Sequence, residues 1–145
     1  MGIAYRVVGT VQLSVVVIDG RVTREDFYAF AREQETDDAW HTTTRSLTDA
    51  RTATIPEVTA DQISDFAALY MKMRVDDSRF KSAIVPGRNL EVAGNYAELR
   101  SDGHTQTVAF NDVITACTWL AVDSDVVRAT IEDLRAELQR ADEQP

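Results

Sequence analysis

The chain has 145 residues, 44% hydrophobic and 27% charged, which suits one domain able to bury a core without metal or disulfide staples. Its 24 acidic against 15 basic residues, net −9, with no Lys/Arg cluster, exclude nucleic acid and anionic lipid surfaces as partners. Cys117 is the single cysteine, which rules out an internal disulfide and any multi-cysteine metal site, and the longest strongly apolar run, residues 15–18, is far too short for membrane insertion.

Residues 5–8 read as a first strand and residues 13–18 as a second, dense in β-branched side chains and ending in the turn dipeptide Asp19-Gly20. The unbroken apolarity of the second strand predicts cover on both faces. Thr23-Arg24-Glu25-Asp26 is a capping box that starts a helix with a stripe of Phe27, Phe30, Ala31 and Gln34. Residues 44–49 form a third strand, and Ile55-Pro56 places residues 50–58 in a loop. Thr59-Ala60-Asp61-Gln62 starts a second capped helix whose stripe is Ile63, Phe66, Ala67, Tyr70 and Met73, ending at Asp76-Asp77.

Residues 81–85 are a fourth strand stopped by Pro86-Gly87, followed by a helix over residues 89–100. Gly94 lies inside that helix, at about 1 kcal/mol against alanine, and close packing on the sheet is the simplest reason for it. A fifth strand spans residues 106–110, Asn111 caps a short helix, and Asp123-Ser124 start a long one to residue 140, before a short disordered tail. This order predicts an α/β domain with a mostly parallel sheet of four to five strands and an antiparallel edge hairpin.

Three segments resemble one family: Ser46-Leu47-Thr48-Asp49-Ala50-Arg51; Ala83-Ile84-Val85 with the helix from Leu90 to Arg100; and Val108-Ala109-Phe110-Asn111-Asp112 with Ala116-Cys117-Thr118-Trp119-Leu120. Together they look like the SpoIIAA-like group of STAS-type domains. The resemblance covers residues 5–121 and implies a STAS-like domain over residues 1–122 with helices on one main face, residues 123–145 being a C-terminal helical extension. It also implies a regulatory module acting through protein contacts. Phosphoswitched members carry an Asp-Ser-Ser-Gly-like step before the second helix. This chain has Thr52-Ala53-Thr54-Ile55-Pro56-Glu57-Val58-Thr59 there, so no phosphoserine switch is expected.

Nothing in the chain reads as catalytic machinery, and no cofactor or metal is expected. His41 and His104 sit in polar loops without a nucleophile motif, Asp37-Asp38 and Asp76-Asp77 read as helix-end charge, and Cys117 as a small buried hydrophobe. Asp49 and Arg51 are the sharper pair. Two apart on a strand, they point to one side at its C-terminal end, where open α/β sheets place ligands, or else they form a structural ion pair. Thr54 falls where the family's phosphoserine lies, and Thr59 is explained by capping. Related folds imply an apolar cavity between helix and sheet, for which Tyr70, Met71, Met73, Tyr96 and Trp119 are candidate lining, and a small apolar, lipid-like ligand is the alternative function.

Trp119 is expected to be buried. Val127, Ile131, Leu134 and Leu138, spaced 4, 3, 4, make a narrow stripe that must bury against its own domain or against a second copy. The homodimer is the favoured expectation, with a folded monomer when the chain is cut at Val122. Without a signal peptide and with one cysteine, the cytoplasm is the expected compartment.

Overall fold

The computed structural model describes residues 2–55, 58–74, 79–100 and 105–143. In chain order these form β1 (Ile3–Val8), a 3-10 turn (Gly9–Val11), β2 (Leu13–Arg21), α1 (Arg24–Glu35), α2 (Asp38–His41), β3 (Arg45–Thr54) and α3 (Ala60–Met73). Then come β4 (Phe80–Val85), a 3-10 turn (Gly87–Asn89), α4 (Leu90–Arg100), β5 (Thr105–Ala109), α5 (Val113–Leu120) and α6 (Ser124–Glu143). The five described strands make one sheet in the order β1-β2-β3-β4-β5. β1 runs antiparallel to β2, and the remaining neighbours are parallel.

Alternation along β2 explains the layers. Leu13, Val15 and Val17 point to one face, Val16 and Ile18 to the other, and all five are buried. The first face carries α5 and α6: Leu13, Val15, Val17, Leu47, Ala83 and Val85 pack with Val113, Ala116, Cys117 and Leu120 of α5. The second face carries α1, α3 and α4, with Ile3, Val16, Ile18 and Phe30 among its buried residues. Both faces of the sheet are therefore covered, whereas the resemblance implied helices on one main face.

The stripe Val127, Ile131, Leu134 and Leu138 belongs to the first face. These side chains are 1%, 2%, 1% and 6% exposed and pack against the sheet. The expected dimer seam is corrected: the apolar area that a second copy would have covered is taken up by the chain's own β1, β2 and α5. α6 is part of the core and not an extension of a finished domain. Arg6 of β1 adds an exposed ion pair to Glu137 of α6 at 2.5 Å.

α1 and α3 both start with a capping box. Thr23 Oγ1 accepts from the Asp26 N–H while Asp26 accepts from the Thr23 N–H, and Thr59 and Gln62 repeat the arrangement. α5 is capped by Asp112, which accepts from the Thr115 N–H at 2.7 Å, one residue later than expected. Asp19-Gly20 does not turn the chain. β2 runs on to Arg21 through a register shift between Val17 and Asp19, with Gly20 at φ 70°. Gly87 does end β4 in the left-handed region, and a Cβ there would lie 2.9 Å from the Arg51 Cα.

Gly94 is exposed on α4, and a Cβ built on it meets nothing within 4 Å, so close packing is not the reason for it. Gly94→Ala is accordingly expected to stabilise the protein by about 0.5–1 kcal/mol, read as a raised urea midpoint with unchanged slope. Trp119 is only half-buried, its ring 5.4 Å from Phe110 and beneath the Lys81 Nζ at 5.0 Å, while Leu120 beside it is the buried side chain. An amphipathic helix end leaves one face of so large a ring in water. Trp119→Ala should cost about 1–2 kcal/mol in urea denaturation, less than the 3–5 of a fully buried tryptophan.

Candidate functional site

The sheet face under α1, α3 and α4 is not fully packed. It holds a partly open cavity of about 200 Å³. Its floor is Val16 and Ile18 of β2, Thr48 and Ala50 of β3, and Ser82 and Ile84 of β4. These are the alternate positions to those that meet α5 and α6. Ser46 Oγ donates to Ser82 Oγ at 3.1 Å, which satisfies one hydroxyl of an otherwise apolar floor.

The walls are aromatic. Phe66 of α3 is the hub: its ring centroid lies 5.6 Å from Phe27, 5.5 Å from Tyr28, 5.1 Å from Tyr70 and 6.0 Å from Tyr96. Most of these contacts are edge-to-face, the arrangement in which a ring's positive rim meets its neighbour's negative face. Rings at these distances touch one another, and the cavity is lined by this aromatic wall together with the sheet floor. Trp40 of α2, 3% exposed, extends the aromatic wall with its ring 6.1 Å from Tyr70.

The polar groups at the rim are held in place. Arg74 is stacked between two rings, its guanidinium 4.0 Å from Trp40 and 3.9 Å from Phe80, and it donates to the Thr43 carbonyl at 3.0 Å and to Thr43 Oγ1 at 2.7 Å. The Tyr70 hydroxyl donates to Gln34 Oε1 of α1. Burial pushes the Tyr70 and Tyr96 hydroxyls well above the usual phenol range, so both remain neutral donors. Asn89 Nδ2 donates to the carbonyls of Ala50, Ala53 and Pro86 at 3.0–3.2 Å, tying the end of β3 to the start of α4.

Of the candidates read from the sequence, Tyr70 and Tyr96 line this cavity, while Met71 is 45% exposed and neither Met71, Met73 nor Trp119 is part of the lining. Phe66 was legible only as one member of a buried stripe, and Asn89 carried no signal of its own. Thr54 is an exposed strand end, and His41 an exposed residue whose Nε2 lies 2.7 Å from the Glu35 carbonyl. Asp37 caps α2 through the Ala39 N–H. His104 and Asp76-Asp77 lie outside the described residues. Cys117 is 1% exposed, and burial pushes its thiol up.

Asp49 and Arg51 are elsewhere. β3 continues to Thr54, so they sit in mid-strand rather than at its end, and on the face that carries α6. Arg51 Nε and Nη2 donate to Asp49 Oδ1 and Oδ2 at 2.9 Å each, and the Arg51 N–H adds a bond of 3.1 Å. Arg135 of α6 donates to Oδ2 at 2.9 Å. Burial pushes this wholly buried carboxyl up, but the bonds from Arg51 and the charges of Arg51 and Arg135 outweigh it and hold the group below the usual range. With Arg135, Asp49 makes a clasp between sheet and helix.

Among the described residues no cluster of three or more His, Cys, Asp or Glu could hold a metal ion, and no helix is long and apolar enough to cross a membrane. Comparison with protein-family models, with characterised proteins and with solved structures finds no match to this chain.

Proposed function

We propose that this protein binds a small apolar ligand in the cavity between the sheet and α1, α3 and α4. The observation that carries the reading is the cavity itself: about 200 Å³ walled by five interlocking aromatic rings, with a few anchored polar groups. Binding sites for small molecules have that make-up, and a dry cavity of about 150 Å³ already admits benzene. The volume suits a body of about one or two fused rings, or a short chain. Within this proposal the fold is a STAS-like one and the protein works in the cytoplasm.

Native mass spectrometry of the purified full chain tests it. A mass excess that survives gentle desolvation, disappears on denaturation and is lost in Ala93→Leu is the expected result. Ala93 lines the cavity from α4, and its larger replacement would occupy the space. A regulatory module working through protein contacts is the second reading, resting on the resemblance to STAS-type domains. A pull-down retaining one stoichiometric protein, together with an empty cavity, would favour it.

A further inference from the structure

The charge of the described part of the cavity lining runs against the charge of the chain. With 24 acidic and 15 basic residues, a surface drawn at random from this protein would carry carboxylates. Among the described residues that line the cavity there are three arginines, Arg24, Arg74 and Arg100, and no aspartate or glutamate. Arginines set in a low-dielectric lining attract ligands of negative charge.

Arg100 is the deepest of the three. It closes α4 with only 4% exposure, its guanidinium 6.0 Å from the Tyr70 ring, and Tyr96 precedes it by one turn of the same helix. A neutral phenol has a proton to donate. Arg100 and Tyr96 thus bring a positive charge and a neutral O–H donor to one place in the lining. The Tyr70 hydroxyl is already committed to Gln34. Next to this polar corner is the ring of Phe66, 6.0 Å from Tyr96, with the Phe27 ring a further 5.6 Å on, and the buried Ile63 belongs to the same lining.

We infer that the ligand is an anionic amphiphile, an apolar body bearing one carboxylate, with the acid group against Arg100 and Tyr96 and the body among Phe66, Phe27 and Ile63. This rests on the cavity being a binding site, as proposed above. A carboxylate accepts from both donors at once and offsets the cost of holding a guanidinium out of water. A neutral ligand of the same shape gains the apolar contacts alone.

The test is a matched pair of probes, 2-naphthoate and its neutral isostere 2-naphthamide, titrated calorimetrically into the full chain at pH 7. Naphthoate is expected to bind at least tenfold more tightly, about 1.4 kcal/mol. Arg100→Gln should bring the ratio close to one while amide binding persists, and Tyr96→Phe should reduce it in part. Equal binding of the two probes to the unaltered protein overturns the inference and leaves the cavity reading standing. Binding of neither overturns both. A ratio unchanged in Arg100→Gln overturns the placement of the acid group. Should that variant fail to fold, the wild-type ratio still decides.

Discussion

A chain ending at Val122 is expected not to fold. The cut removes Val127, Ile131, Leu134 and Leu138, each 6% exposed or less, and bares the sheet face of Leu13, Val15, Val17 and Leu47, each 0% exposed. Burying one such side chain is worth about 1.5–3 kcal/mol, so four lost from α6 amount to about 6–12 kcal/mol before the sheet's own exposure is counted. The whole stability of a domain is about 5–15 kcal/mol. The truncated chain should therefore show no cooperative urea transition and no dispersed amide spectrum at 25 °C. A sharp transition from residues 1–122 alone would return α6 to the status of an appendage and reopen the dimer seam.

Asp49→Asn is expected to destabilise the protein by about 3 kcal/mol at pH 7, because removing one partner of a buried pair leaves the others without compensation. The Asp49 side chain is wholly buried, whereas those of Arg51 and Arg135 are 44% and 24% exposed. Water reaches the two stranded guanidiniums in part, which places the loss at the low end of the range for broken buried pairs. The pH dependence has a definite sign. The Asp49 carboxyl is depressed in the folded protein, so its contribution is fully present above the unfolded value of about 3.9 and is lost as pH falls through the folded one. Urea denaturation of both proteins at pH 7 and pH 3 should show the gap between them narrowing in acid. A gap that is constant or widens would mean that the clasp is not carried by the ionised carboxylate.

Much of this architecture could be read from side-chain pattern. The capping boxes at Thr23 and Thr59 set two helix starts because the same four residues satisfy the orphan amides locally. The errors arose where local chemistry admits two answers. The residue before a proline avoids the helical region, but extended backbone suits a strand as well as a loop, and β3 used that freedom to reach Thr54. Asp19-Gly20 has turn chemistry, yet β2 runs through both residues to Arg21, with Gly20 paired to Ala53.

The placement of α6 was legible in principle. A strand as apolar as residues 13–18 demands cover on both faces, and that requirement conflicts with helices on one side only. Given two layers, the stripe from Val127 to Leu138 had a surface waiting in its own chain. The cavity was not legible in the same way. Phe66, Tyr70 and Tyr96 have the spacing of ordinary core residues, and only the packing of three helices on the sheet leaves space beside them.

The proposal that the cavity takes a small apolar ligand is tested most directly by a two-dimensional amide NMR titration of the full chain with naphthalene, which is neutral and so independent of the arginine lining. The expected result is saturable shifts confined to the amides of α1, α3 and α4 around Phe66, Tyr70, Ala93 and Tyr96. Little change is expected along α6, and no saturation in Ala93→Leu. An unmoved spectrum, or shifts that fall equally on α5 and α6 and persist in Ala93→Leu, would contradict it.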